Sequence, residues 1–213
     1  MLVLLAPEKD INGEIEILTQ LFQAGLSFYH LRKPAKNEQD HCAYLDKIAP
    51  KYHNRIMLHH CHELLNDYNL KGLHFTEQKR RDLLTKGHQS FLDLQNNNKI
   101  ISSSFHEIKE VLECAIDFEY HFLSPIFSSI SKQGYRGRYF NAHQIDKRMI
   151  GMGGITVDNL EETIQLGFNG IGILGGVWNA ENPIESFNNI KQQYQKCVRK
   201  YAQLSASLIS VTK

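Results

Sequence analysis

Two pairs of glycines in the C-terminal third of the chain have the spacing of phosphate-binding turns. Gly153 and Gly154 follow one short apolar stretch, and Gly175 and Gly176 follow the next. Glycine lets backbone N–H groups approach a phosphate closely, and a helix that begins there adds partial positive charge. Either pair alone could simply form a tight turn. Two pairs at the ends of successive stretches favour a phosphate site.

A long polar segment precedes the first glycine pair. It runs from Ser124 to Gly137 and carries hydroxyls at Ser129 and Ser131 and a cation at Lys132. The alternative is a solvated connection, but segments of this length inside a compact domain are more often functional. We therefore expect this segment to wrap around an anion.

Basic side chains end the second apolar stretch of the chain. His30 and Arg32 are two residues apart, so strand alternation places them on one face, with Lys33 directly after them. Such a pair could hold a phosphate or pyrophosphate through charge-assisted hydrogen bonds. The alternative is an Arg32 that is solvated at the strand end. His74 and Ser104, at two later strand ends, are further candidates for ligand contacts.

The run His59-His60-Cys61-His62 raises the question of a metal site. Consecutive residues that leave a strand point to different sides, so they cannot all reach one ion. We therefore expect no metal site here and keep His59 and His60 as candidates for ligand binding.

Eight apolar runs recur along the chain, and most are followed by a segment with helical periodicity. This is the pattern of repeated βα units and predicts a parallel sheet. Units of about 25 residues fit an α/β fold, a (β/α)₈ TIM barrel with eight parallel strands, whose functional residues lie just after each strand. An open, doubly wound sheet is the competing architecture. The predicted strands are Leu2–Ala6, Phe28–Leu31, Arg55–Leu58, Gly72–Phe75, Ile100–Ser103, Tyr120–Leu123, Met149–Met152 and Gly170–Leu174.

The segments between these strands predict amphipathic helices that cover the sheet. Asn37 is a good N-cap for the second of them. Gly87 and the polar run 95–98 blur the helix predicted within 82–98, and the helix predicted at 141–146 is short, so the bounds of both are undefined. No linker or low-complexity region divides the chain, so we expect one domain over 1–213, with 201–213 a loosely held tail. The predicted helices are Glu14–Ala24, Glu38–Ile48, Cys61–Tyr68, Phe105–Ala115, Val157–Leu166 and Ile184–Tyr201.

The composition is that of an ordinary globular protein with a small-molecule partner. The chain has 213 residues, 42% of them apolar and 22% charged, and a formal net charge of +1. Without a dense basic block there is no electrostatic reason to expect nucleic acid or a membrane as partner, while a homo-oligomer remains open. Four scattered cysteines indicate neither a disulfide framework nor a zinc site. The apolar run 2–6 is too short for a signal peptide, so we expect a cytoplasmic protein.

Taken together, these motifs resemble the thiamine phosphate synthase/TenI family. The likeness spans nearly the whole chain, and the order of the motifs is more specific than any one of them. It implies a TIM barrel and an enzyme of thiamine biosynthesis, which joins hydroxymethylpyrimidine pyrophosphate to thiazole phosphate and releases pyrophosphate with the help of Mg²⁺. The motifs are Tyr29-His30-Leu31-Arg32-Lys33, Gly72-Leu73-His74, Ser104-Phe105-His106, the segment from Ser124 to Lys132, and the segment from Gly151 to Ile155.

By matching positions, the resemblance also implies roles for single residues. Arg32 and Lys132 would contact the pyrophosphate and Ser104 the pyrimidine, and these three are the implied catalytic residues. Thiazole phosphate would be held by Ser129, Ser131, Gly153, Gly154, Gly175 and Gly176. The remaining substrate-binding candidates are His30, Lys33, His59, His60 and His74.

Several positions depart from the family pattern. His30 stands where synthases carry Gln, His59 and His60 replace an Asn-Asp pair, and Lys79 stands at the acidic magnesium position. Because Mg²⁺ prefers carboxylate oxygens, it is expected as a cofactor only if synthase activity is retained, and otherwise none is. Pro125 stands where TenI-like thiazole tautomerases carry a histidine. The alternatives are therefore a divergent synthase, a tautomerase, and a non-catalytic protein that binds thiazole phosphate or thiamine phosphate. A phosphosugar isomerase ranks last, because no acid/base pair for it is found.

Overall fold

The computed structural model is a closed barrel of eight parallel strands. It describes residues 1–85, 87, 89, 91, 99–128 and 137–211, with side chains as far as residue 203. Each strand pairs with the next, and β8 pairs with β1 to close the sheet. The predicted TIM barrel is therefore confirmed, and the open sheet is not formed. The strands are β1 Leu2–Leu5, β2 Tyr29–Leu31, β3 Ile56–Leu58, β4 Gly72–Phe75, β5 Ile100–Phe105, β6 Tyr120–Leu123, β7 Met149–Met152 and β8 Gly170–Ile173.

Helices surround the barrel and connect most of the strands. The long helix that follows β8 packs against the first helix of the chain and so joins the two ends of the sequence. None of the described helices is long and apolar enough to span a membrane. The helices are α1 Glu14–Gln23, α2 Glu38–Asp46, α3 Glu77–Thr85, α4 Ile108–Glu113, α5 Leu160–Gln165, α6 Gly175–Trp178 and α7 Pro183–Val211, with 3₁₀ turns at Pro50–Arg55 and His62–Asn66.

The start of α2 follows the sequence signal closely. Asn37 is its N-cap, and the Asp40 backbone N–H donates to the Asn37 side chain at 2.9 Å. The Asn37 backbone N–H in turn donates to the Asp40 carboxylate at 3.1 Å. This reciprocal capping box satisfies two backbone donors that the first turn of a helix leaves unpaired.

Other elements differ from the sequence prediction. The predicted helix at 61–68 is only a 3₁₀ turn, which the chain enters through Cys61 in the left-handed region, at φ 53°. Residues 141–146 form no helix. α3 begins at Glu77, ahead of the segment 82–98, and α7 ends at Val211, beyond the predicted end at Tyr201.

Two apolar layers hold the barrel, one outside the sheet and one inside it. The outer layer lies between strands and helices and includes Leu18 and Phe22 of α1. Because side chains alternate across a strand, every second residue points inward. The inward-facing apolar residues are Val3, Leu5, Met57, Tyr120, Phe122 and Ile150. The polar side chains that share this interior form the site described next.

Candidate active site

Three histidines from neighbouring strands meet inside the barrel. His30 lies in β2, His59 directly follows β3, and His74 lies in β4. All three are buried, and one nitrogen from each lies within 4.8 Å of the other two. The run at 59–62 does not predict this convergence, because the partners of His59 come from adjacent strands and not from the next residues of the chain.

A chain of hydrogen bonds links two of these histidines to a tyrosine. His30 Nδ1 is 2.8 Å from His59 Nε2, and His30 Nε2 is 2.7 Å from the Tyr120 hydroxyl. His59 Nδ1 is buried without a hydrogen-bond partner in the described part of the chain. The two imidazoles and the phenol thus form one connected polar network with a single unsatisfied end.

His74 is held by hydroxyls on both of its nitrogens. Its Nδ1 is 2.8 Å from Ser102 Oγ, and its Nε2 is 2.7 Å from Ser104 Oγ. The buried Arg80 of α3 supports this arrangement, since it donates to Ser103 Oγ at 3.1 Å and to the Ser104 carbonyl at 3.4 Å. Ser104 is therefore fixed at the end of β5 beside His74.

The histidines are uncharged near neutral pH. Burial lowers the pKa of His30 to about 3. Burial also holds the pKa values of His59 and His74 well below the ordinary range, with a further contribution from the neighbouring histidines. The floor of the barrel mouth consequently offers neutral imidazoles that can form hydrogen bonds or bind a ligand.

Arg32 follows β2 at the rim above this floor. Its guanidinium forms an ion pair with Glu8, and its side chain is 33% exposed. Its charge acts on the histidines, because it contributes to the lowered pKa values of His59 and His74. Arg32 therefore remains accessible to an anion that displaces or shares Glu8.

Lys33 points to the opposite side and is completely buried. Its Nζ donates to Glu14 at 2.9 Å and to the Pro7 carbonyl at 3.0 Å, and it lies 3.0 Å from the Asp10 carboxylate. Strand alternation explains why neighbours in sequence separate in this way. Lys33 belongs to a structural ion pair, which removes it from the predicted phosphate contacts.

His60 also turns away from the three histidines. It is about half-buried, and its ring centroid is 6.4 Å from that of His41. His62 lies in the following 3₁₀ turn and packs edge-on against Phe75, with 4.9 Å between the ring centroids. Of the run 59–62, only His59 enters the barrel.

The first glycine pair forms a tight turn against the loop after β6. Gly153 and Gly154 have φ values of 99° and 68°. The Phe127 N–H donates to the Gly153 carbonyl at 3.0 Å, and a Cβ added to Gly154 would lie 2.7 Å from the Ser128 carbonyl oxygen. Glycine is therefore required here by both conformation and space. Ser129, Ser131 and Lys132, which continue this loop, lie outside the described residues.

The second glycine pair begins the short helix α6. Gly175 and Gly176 stand directly after β8, and β7 pairs with β8 through Met152 and Gly172. The two glycine turns therefore lie side by side at the carboxyl end of the barrel. The first N–H groups of a helix have no partner within it, and this position is a frequent phosphate site in TIM barrels.

The sequence profile of the family described as thiamine monophosphate synthase matches residues 2–177. The chain belongs to the thiamine monophosphate synthase family. The thiamine-phosphate synthase of Bacillus mycoides is 23% identical over 197 residues, which cover 85% of this chain and 86% of that protein. These findings confirm the predicted family.

Solved structures agree with this assignment. A thiamine phosphate pyrophosphorylase from Bacteroides thetaiotaomicron is 28% identical, with a TM-score of 0.70 and coverage of 92% of this chain and 97% of that one. A thiamine phosphate pyrophosphorylase from Pyrococcus furiosus has a TM-score of 0.74 over 92% and 96% of the two chains, but its 14% identity supports only the fold.

The side chains that could bind a metal in this thiamine monophosphate synthase family member do not suit the Mg²⁺ ion that the sequence resemblance implies. Among the described residues, the group of three ligand side chains that can converge on one ion consists of histidines alone. The nearby Glu8 is engaged by Arg32. A hard cation such as Mg²⁺ takes oxygen ligands, which this set does not offer.

Sequence reasoning missed several residues of the site. Tyr120 and Ser102 hold the histidines, and Glu8 pairs with Arg32. Strand alternation could have indicated the first two, because Tyr120 and Ser102 each lie an even number of residues from an inward-facing neighbour. Nothing in the sequence pattern indicates Glu8, which lies in the loop after β1.

Proposed function

We propose that the chain is a divergent thiamine-phosphate synthase. In this reaction a hydroxymethylpyrimidine pyrophosphate is joined to thiazole phosphate, and pyrophosphate leaves. The observation that carries the proposal is the pair of glycine turns at the ends of β7 and β8, with the loop after β6 bonded to the first of them. Backbone N–H groups at these two turns would receive the thiazole phosphate.

The pyrimidine pyrophosphate would lie on the neighbouring part of the mouth. Arg32 is the accessible cation there, and Ser104 is held in place by His74 and Arg80. A leaving pyrophosphate gains most from charges and donors that are already fixed before the bond breaks. Arg32 would neutralise that charge, with Lys132 as a second cation implied by the family motif.

The floor beneath the proposed pyrimidine position carries imidazoles in place of carboxylates. His30, His59 and His74 are neutral and would face the pyrimidine ring as hydrogen-bond partners. Because the donor set does not fit Mg²⁺, the proposal assigns it no residue of this chain. Magnesium would then act as the counterion of the pyrophosphate itself.

Product formation tests the proposal directly. The two substrates are incubated with the protein, with and without Mg²⁺, and thiamine phosphate is measured by fluorescence after oxidation. Arg32→Ala should lose at least about 100-fold in rate, as expected for a fixed charge on a leaving group. Arg148→Ala is the matched control, because Arg148 forms a similar exposed ion pair, with Glu119, at the opposite end of the barrel. Equal rates in both variants would contradict the role of Arg32.

A protein that binds thiazole phosphate without turnover, or a TenI-like tautomerase, is the second candidate. It is favoured by the Arg32–Glu8 ion pair, which occupies the proposed pyrophosphate contact. Calorimetric binding of thiazole phosphate by a wild-type protein that forms no thiamine phosphate would support it. An NMR assay for tautomerisation of thiazole carboxylate phosphate distinguishes these two alternatives: turnover indicates a tautomerase, and its absence indicates a binding protein.

A further inference from the structure

We propose that His30, His59 and His74 form a binding site for a divalent transition metal ion of the Zn²⁺ or Co²⁺ type. The site lies on the floor of the barrel mouth and uses three neutral imidazoles and no carboxylate. Metal binding by these rings requires neither substrate nor turnover, although the same rings would face the pyrimidine in the proposed reaction.

The distances suit such an ion after small movements. A tetrahedral zinc ion with Zn–N bonds of about 2.0–2.1 Å requires ligand nitrogens about 3.4 Å apart. One nitrogen from each histidine lies within 4.8 Å of the others, and His30 Nδ1 is 2.8 Å from His59 Nε2. An ion would therefore replace the hydrogen bond between these two rings and draw His74 closer.

The ligand type also suits such an ion. Imidazole ligands suit zinc, cobalt, copper and nickel, whereas magnesium and calcium prefer oxygen. The site consequently selects a different class of ion from the one that the family motif implies.

Outer hydrogen bonds orient two of the rings, as in known metal sites. Tyr120 holds His30 and Ser102 holds His74 through the nitrogen that the metal does not need. His59 Nδ1 is the polar atom that the network leaves without a partner among the described residues. With an ion on His59 Nε2 in place of the bond to His30, this Nδ1 carries the proton of the neutral ring.

The charges around the floor leave the site able to hold a cation. The charge of Arg32 acts on both His59 and His74, and Glu8 pairs with Arg32. Lys79 contributes to the lowered pKa values of His60 and His62, which lie outside the group. Three protein ligands also leave a coordination position for water or an anionic ligand, as in catalytic zinc sites.

Cobalt titration tests the proposal without any substrate. The protein is prepared without a polyhistidine tag, stripped of metal and titrated with Co²⁺ while visible absorption is recorded. We expect saturation at one ion per chain, with the bands of four- or five-coordinate cobalt, reversal by Zn²⁺, and no reversal by a large excess of Mg²⁺. Absence of saturable binding, or displacement by Mg²⁺, would overturn the proposal.

Variants locate the ion. His59→Gln and His74→Gln should each abolish the cobalt bands, and Tyr120→Phe, which removes only an outer hydrogen bond, should weaken binding by roughly 10- to 100-fold. His60→Gln is the matched control, because it is the chain neighbour of His59 but turns toward His41. Circular dichroism confirms that each variant is folded. Unchanged bands in both His59→Gln and His74→Gln would overturn the assignment, whatever the protein's activity.

Discussion

Single buried imidazoles make the stability of this fold depend on pH. His30 has a folded-state pKa of about 3, whereas in the unfolded chain it titrates near the ordinary value of about 6.5. Between these values only the unfolded state binds the proton, so the free energy of unfolding decreases as the pH falls below 6.5. His30 alone should remove about 2 kcal/mol between pH 7 and pH 5, and His59 and His74 act in the same direction.

Urea unfolding between pH 5 and pH 8, with a chelator present, measures this effect. His30→Gln should flatten the dependence on pH by about 2 kcal/mol over that interval. His143→Gln is the control, because His143 is exposed and lies outside the barrel interior, and it should leave the slope unchanged. A wild-type stability that does not change between pH 7 and pH 5 would contradict the neutral, buried state of His30.

Substitutions of the neighbours Arg32 and Lys33 should differ greatly in their effect on stability. Lys33→Met leaves the buried Glu14 without its cation, which should cost about 3–5 kcal/mol. Arg32→Met breaks a partly exposed ion pair and should change stability by less than about 1 kcal/mol. The double variant Lys33→Met/Glu14→Leu should recover part of the loss, because no buried charge remains. Urea unfolding gives all three values, and similar losses for Arg32→Met and Lys33→Met would show that Lys33 is not structural.

At the scale of elements, the turn after β7 is fixed by its contact with the loop after β6. Gly154→Ala should destabilise the protein by more than Gly13→Ala, although both residues have φ near 70°. A left-handed alanine costs roughly 1–2 kcal/mol, and a Cβ at Gly13 meets nothing within 4 Å, whereas one at Gly154 would meet Ser128 and Phe127. Thermal unfolding measures the difference. Equal losses would mean that the loop moves away without cost.

The sequence predicts the elements better than it predicts the site, for a physical reason. Strand and helix patterns are local, so all eight strands and the capping box at Asn37 follow from nearby residues. The three histidines meet only because inward-facing positions of three strands lie at the same level along the barrel axis. That level is set by the register between strands, which is not a local property of the sequence. The same strand alternation that joins His30 to His59 also turns Lys33 away, although Lys33 follows the predicted phosphate contact Arg32.

The whole molecule is held closed where the two ends of the chain meet. β1 pairs with β8, and the Trp178 indole N–H donates to the Leu5 carbonyl at 2.7 Å across this seam. At the other end of β8, the N-terminal amino group donates to the carbonyl of Asn169, which directly precedes the strand, at 2.8 Å. Trp178 is the single tryptophan of the sequence, so its fluorescence reports on the seam, whereas far-UV circular dichroism reports on helices all round the barrel.

We predict that the two probes give one coincident urea transition, as expected if residues 1–213 form one domain. Opening the seam would expose the barrel interior and separate β1 from β8. The rest of the barrel should then unfold in the same transition. Trp178→Phe, followed by circular dichroism, should lower the free energy of unfolding by about 1–3 kcal/mol, because the buried Leu5 carbonyl loses this donor, while the transition stays cooperative. A fluorescence change at lower urea than the dichroism change would mean that the seam opens by itself, and that the two ends of the chain are not part of one cooperative unit.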